Sequence, residues 1–320
     1  MSETKTEPAR PRAAQAIEAV PVRHPWRWVS AAVVLVLALM FVHMLVTNDG
    51  FEWAFIFDNL FNPPILRGVV TAIWMTLASM ALGIVLGVVL AVMRLSPNPL
   101  LSWTAWLYTW FFRAVPRVVL LVLFGNMGIL WDRLEFGLPF DRQLGQLFGI
   151  TDFEARIFGF EAHTVLSGLV AGLLGLALSE AAYMAEIVRA GILSVDRGQS
   201  EAAAALGLTR GQTLRRIVMP QAMRAIIPPT GNEMIAMLKD TALLSYVPVT
   251  NELWFQARAI GAATFKVFPM YVAACLWYLA LTSVLMIGQY FVERWFARGR
   301  DTTSRARVRL GAIGRGQGGA

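Results

Sequence analysis

Stretches of about 20 consecutive apolar residues recur along this chain, and such a stretch has few stable fates in water. Coiled as a helix at 1.5 Å per residue, it crosses a hydrocarbon core of roughly 30 Å. Six runs have this character: Trp28–Val46, Val69–Met93, Val115–Trp131, Val165–Ala185, Ile226–Val249 and Pro269–Val292. Of 320 residues, 57% are hydrophobic and only 15% charged, too apolar a balance for an ordinary soluble chain of this length. Because lipid offers the backbone no hydrogen-bond partners, these runs predict an all-α integral membrane protein with about six transmembrane helices.

The first run follows basic residues, as a signal peptide does. It is longer than a typical signal core, and no small-residue cleavage site follows in "TNDGFEWAF", so it is expected to stay as a span. Net charge is +7, but its placement fits topology rather than nucleic-acid binding. Lys5, Arg10, Arg12, Arg23 and Arg27 precede the first span, whereas Asp49, Glu52 and Asp58 follow it against Arg67 alone. The positive-inside rule then puts the N-terminus in the cytoplasm, and six spans return the arginine-rich C-terminus to the same side. Contacts with anionic lipid are the natural role of many of these arginines. The single Cys275 excludes a disulfide within the chain, and His24, His43 and His163 are too scattered for a metal motif.

Residues 1–27, rich in Pro, Ala and charge, and residues 299–320 are expected to be disordered cytoplasmic extensions. Trp103, Trp106 and Trp110 recur at helical spacing beside Arg113, which predicts an interfacial elbow at the cytoplasmic surface. Pro97 and Pro99 predict a turn, and the polar segment 132–161 a folded external loop. The pairs Gly83/Gly87 and Gly168/Gly172 favour close helix crossings. The fifth run differs from the others: Pro228, Pro229, Gly231, Glu233, Lys239 and Asp240 lie at what should be bilayer depth. Each charge there costs roughly 2.5–3.5 kcal/mol on insertion scales, so this segment is expected to face protein or a wet pathway.

Residues 197–221 predict a water-facing helical hairpin. Ser200 is suited to cap the alanine-rich "EAAAALG", Gly207 to end it in a left-handed conformation, and "TRGQ" to open the next helix with a capping box that Pro220 ends or bends. Glu201-Ala202-Ala203, three residues, Gly207, nine residues, Ile217, one residue, then Met219-Pro220 resembles the EAA coupling motif of permease subunits in bacterial ATP-binding-cassette importers. Met219 stands where Leu is common. "AAYMAEIVRAGILSVDRGQSEAAAALGL", "MLKDTALLSYV", "NELWFQARAIGAATF" and "TAIWMTLASMALGIVLGVVLAVMRLS" resemble the polar amino-acid uptake branch, over residues 67–298. Two places depart from it: "FRAVPRVVLL" has Ala114, Val115 and Arg117 where Gly-Thr-Pro-Leu is usual, and the helix at 28–47 is additional to a five-helix core.

This resemblance implies that Glu201, Ala202, Ala203, Gly207, Ile217 and Pro220 dock on a dimeric cytoplasmic P-loop ATPase. It also implies a second permease chain, identical or paralogous, and an extracytoplasmic solute-binding protein that delivers a polar amino acid. ATP is then consumed by the partner; this chain has no GxxxxGK[ST] loop and needs no cofactor of its own. An α-amino acid presents both an ammonium and a carboxylate, so its path needs both signs of charge. Glu180, Lys239 and Asp240 are the candidates for substrate path or gate, with Lys239 the alternative internal partner of Glu180. Glu186 and Arg189 read as structural, and Glu180 and Glu186, at i and i+6, should not clamp one group together. The rival reading is an ion-coupled secondary amino-acid transporter using the broken fifth span and its acids as ion sites. It leaves the hairpin unexplained. An intramembrane enzyme is disfavoured, because neither HExxH nor GxSxG occurs.

Overall fold

The computed structural model describes residues 25–130, 132–138, 140–150, 153, 155–161 and 168–297. The chain divides into two units, with the break between Phe51 and Glu52. In its described part the first unit is one helix, α1 (Pro25–Thr47), and a 3-10 turn at Asp49–Phe51. The apolar side chains of α1 are exposed on every side, the pattern of a helix solvated by lipid. Helix begins at Pro25, inside the expected leader; the rest of that leader and the C-terminal tail lie outside the described residues.

The second unit opens with α2 (Trp53–Leu60), α3 (Pro63–Arg94), α4 (Pro99–Ala114), α5 (Arg117–Gly125) and the short α6 (Met127–Leu130). A small antiparallel pair, β1 (Arg133–Gly137) and β2 (Arg156–Glu161), flanks α7 (Asp141–Leu147). There follow α8 (Leu169–Leu193), α9 (Arg197–Ala205), α10 (Arg210–Thr213), a π-helical turn at Leu214–Val218, α11 (Met219–Asp240), a 3-10 turn at Thr241–Tyr246, α12 (Leu253–Thr264) and α13 (Val267–Ala297). The chain is therefore not purely helical. The described residues of segment 132–161 are held by cross-strand pairs such as Phe136 on Phe158, with ring centroids 5.0 Å apart, and Arg156 with Glu135.

Among the described residues four helices, α1, α3, α8 and α13, are long and apolar enough to cross a membrane, and α4 with α5 makes a fifth if the bent pair counts as one. Two of the six expected runs take other bounds than the sequence predicts. The third span, Val115–Trp131, is replaced by α5, whose nine residues rise only about 13 Å. The tryptophan segment forms α4, bent by 100° from α5, with Ala105 and Thr109 buried while Trp103 and Trp110 stay exposed. The helix of the fifth run, α11, extends from Met219 to Asp240 rather than from Ile226 to Val249, and it is too polar to rank with the apolar four.

The packing centre is the crossing of α3 on α8. A Cβ at Gly83 would lie 2.8 Å from the Cβ of Glu180, and one at Gly87 would lie 2.5 Å from that of Met184 and 3.0 Å from the Ala181 carbonyl oxygen. The first glycine pair thus does what its spacing predicts. The second does not act as a pair within a helix, because Gly168 precedes α8 with φ of 52° and lies against the Pro248 carbonyl, while Gly172 packs against Leu244. Met75, Met80, Leu121, Leu176, Met237 and Leu244 fill the space beside this crossing.

Gly87→Leu should lower the thermal midpoint of the detergent-solubilised protein by the equivalent of about 1–3 kcal/mol, since backbone lies in its way. Gly288→Ala meets nothing within 4 Å and should stabilise by up to about 1 kcal/mol. Equal midpoints for the two variants would contradict the crossing.

Candidate functional site

Helix α4 ends because Val115 precedes a proline. A residue before proline is pushed to extended backbone, and Val115 sits at φ −87°, ψ 129°. Pro116 then starts α5 at an angle of 100° to α4, which makes Arg117 the first residue of the new helix. The bend aims the Arg117 side chain into the protein. Its Nη1 donates to Asp240 Oδ2 at 2.6 Å, and its Nη2 donates to Glu180 Oε2 at 2.9 Å and to Glu233 Oε2 at 3.5 Å. The guanidinium carbon lies 4.8 Å from the centre of the Tyr183 ring, and that of Arg113 lies 5.6 Å from the same ring. One fork-shaped cation thus holds α5, α8 and α11 together, with an aromatic face beneath it.

Helical periodicity explains why these groups converge. Glu180 and Tyr183 are three apart on α8, and Glu233 and Asp240 are seven apart on α11, so each pair shares a face. Glu180 is fully buried, and its second oxygen, Oε1, is without a hydrogen-bond partner among the described residues. A buried acceptor left open costs about 1–3 kcal/mol, and more when charged. Three carboxylates face one guanidinium, so the cage carries acid in excess.

Of the candidates from sequence, Glu180 and Asp240 meet here, whereas Lys239 points away and is exposed. The alternative pairing of Glu180 with Lys239 is corrected: the partner is Arg117. Glu233, noted in sequence only as a charge at depth, joins the site. Arg117 was missed as a site residue, although a lone cation in an apolar run at bilayer depth demands an anion. Glu186 pairs instead with Arg189, at 2.8 Å, so the two glutamates of α8 do not share a group.

The hairpin 197–221 is the second candidate site. Asp196, not Ser200, caps α9: its Oδ1 accepts from the Gly198 N–H at 2.7 Å, starting the helix earlier than expected. Gly207, at φ 78°, ends α9 in a Schellman motif, with its N–H donating to Ala204 O at 2.9 Å and the Leu208 N–H to Ala203 O at 3.1 Å. Thr209 and Gln212 form the expected capping box. Pro220 neither ends nor breaks the second helix. The wide π turn just before it leads straight into α11, where a proline in the first turn forfeits no needed hydrogen bond. Ala203 is buried against the hairpin, Glu201, Ala202, Leu206 and Pro220 are exposed, and Ile217 is half-buried.

Charge held between apolar helices of membrane-spanning length, together with a rigid helical hairpin rich in small residues, defines a polytopic membrane protein. The chain belongs to the family of binding-protein-dependent transport system inner membrane components, whose pattern it matches over residues 83–298. It is accordingly a multi-pass protein of the bacterial cytoplasmic membrane. It is 42% identical to the arginine transport system permease protein ArgU of Corynebacterium glutamicum, covering 91% of this chain and 86% of that one. To the glutamate/aspartate import permease protein GltK of Escherichia coli it is 34% identical, over 66% of this chain and 83% of that one. Among solved structures it resembles an amino acid ABC transporter crystallised with histidines, at 29% identity and a TM-score of 0.58, covering 73% of this chain and 94% of that one.

Gly207→Val should cost the hairpin about 1–2 kcal/mol, because a β-branched residue resists this left-handed turn; Gly207→Asn should be close to neutral. Amide hydrogen exchange across residues 197–213 measures it: faster exchange in the valine variant alone is expected, and equal rates in both would refute the strained turn.

Proposed function

We propose that this chain is the permease subunit of an ATP-driven importer for amino acids with a cationic side chain. The observation that carries this reading is the cage of Glu180, Glu233 and Asp240, whose acid exceeds its one internal cation and which leaves Glu180 Oε1 open. A guanidinium or ammonium entering it gains charged hydrogen bonds, whereas a carboxylate side chain meets like charge at a cost of several kcal/mol. Kinship with permeases named for arginine and for glutamate/aspartate leaves the substrate open within the family, so the charge of the site is what selects between them.

In this reading both termini are cytoplasmic and the hairpin docks on a dimeric P-loop ATPase. A second permease chain completes the path, and an extracytoplasmic binding protein loads it. Glu201, Ala202 and Leu206 form the exposed docking surface, and Gly207, through its turn, keeps α9 and α10 in register.

The test is uptake into proteoliposomes holding the complete transporter, its binding protein and ATP, with labelled arginine, glutamine and glutamate compared. Arginine should be preferred. Glu180→Gln should lower kcat/KM for arginine at least about tenfold, since a hydrogen bond to a charged group contributes about 1.5–3 kcal/mol. Preference for glutamate, or unchanged uptake by Glu180→Gln, would refute the substrate assignment. Uptake driven by an ion gradient without ATP would replace the importer by a secondary carrier. Separately, Glu201→Lys should strip the P-loop ATPase from the purified complex; retention at full stoichiometry would exclude the docking role.

A further inference from the structure

We propose that Arg117 is a tethered stand-in for the substrate's cation, filling the carboxylate cage when the transporter is empty and giving way when a cationic amino acid arrives. This rests on the cationic-substrate reading above and goes further, since it makes a residue of the chain a competitor for its own binding site.

The geometry is that of a bound guanidinium ligand. Two terminal nitrogens donate to carboxylates at 2.6 and 2.9 Å, a third carboxylate oxygen lies at 3.5 Å, and the plane covers an aromatic ring at 4.8 Å. These are the contacts a free arginine side chain would seek. Arg117 does not exhaust the cage, because Glu180 Oε1 is buried and unpartnered among the described residues. An incoming cation therefore has one acceptor waiting and gains the others as Arg117 withdraws.

The position of Arg117 allows such a withdrawal. It is the first residue after the Val115–Pro116 break, and its long side chain is 13% exposed, at the edge of the cage rather than sealed within it. Arg113, near the end of α4 just before the bend, is exposed and holds its guanidinium carbon 5.6 Å from the centre of the same Tyr183 ring. Tyr183 thus borders two cation positions, one inside the carboxylates and one outside.

A resident competitor has a purpose that a plain ion pair lacks. With three acids at depth and no cation, the empty path would attract any small cation; with Arg117 in place, only a ligand that matches several of its contacts displaces it. The apparent affinity of the cage falls by the fraction of time Arg117 leaves it free. Displacement also returns at the end of the cycle, when the re-entering guanidinium pushes the substrate off.

The alternative is that Arg117 is a pillar that merely braces α5, α8 and α11, and the two roles differ in sign. Removing a pillar loosens the site and weakens binding, whereas removing a competitor tightens binding and slows release. Arginine binding is measured by titration of the complete transporter in nanodiscs, without the binding protein, for wild type, Arg117→Gln and Arg117→Lys. Arg117→Gln should lower the Kd for arginine at least about tenfold, with Arg117→Lys near wild type. Steady-state uptake should show KM and kcat falling together. An unchanged or higher Kd in Arg117→Gln would overturn the competitor role.

If Arg117→Gln fails to fold, Arg117→Gln combined with Asp240→Asn retains the wild-type charge balance of the cage. That double variant must bind arginine more tightly than Asp240→Asn alone, and equal affinity would overturn the proposal. Binding of glutamine or glutamate but of no cationic amino acid, by wild type and variants alike, would instead sink the substrate reading.

Discussion

The contact on which the rest depends is the fork of Arg117 across Asp240 and Glu180. A fully buried carboxylate such as that of Glu180 is costly unless a cation faces it, and Arg117 supplies that cation in the empty form. Each nearby feature of the sequence serves that pairing. Val115–Pro116 breaks the span so that Arg117 faces inward, and Gly83 lets α3 come within contact of the Glu180 stem. Tyr108 donates to Leu178 O at 2.8 Å, fixing α4 to α8 beside the cage. The apolar clusters around Leu121, Leu176 and Met237 exclude water from the same region, which strengthens the charges inside.

Both acid-bearing helices lead directly into the hairpin. From Glu180, α8 runs to Leu193 and meets α9 at the Asp196 cap; from the hairpin, α11 runs without a gap to Asp240. Its 22 residues span about 33 Å, so one helix joins the hairpin to the cage. The π turn at Leu214–Val218 and the pair Pro228–Pro229 are the points where that helical path bends most readily, because both interrupt the i to i−4 ladder. Across from Pro228, Gln289 donates to Asn232 Oδ1 at 2.9 Å and tethers the bend to α13. Hairpin and cage lie at the two ends of one continuous helix.

Much of this was legible in the sequence, and what escaped had identifiable causes. The long apolar runs point directly to four helices of membrane-crossing length, and local rules fixed the Gly207 turn and the Thr209 capping box, since their partners lie within a few residues. Asp196 displaced Ser200 as the cap because two suitable residues stand close together and only one can start the helix. Pro220 misled because its cost depends on whether a π turn precedes it. Arg117 escaped because its acids are 63, 116 and 123 residues away, and no local pattern says which helix faces meet. The sequence offers Lys239 as the alternative internal partner of Glu180, yet adjacent helix positions point about 100° apart, and of the two only Asp240 reaches the cage.

The most direct test of the account is a cryo-electron microscopy map of the assembled transporter with arginine bound. The account predicts ligand density between α5, α8 and α11, with its cationic group within hydrogen-bond reach of Glu180 and the Arg117 side chain displaced from its place in the empty form. Arginine density elsewhere in the path, with Arg117 still bridging Asp240 and Glu180, would contradict it.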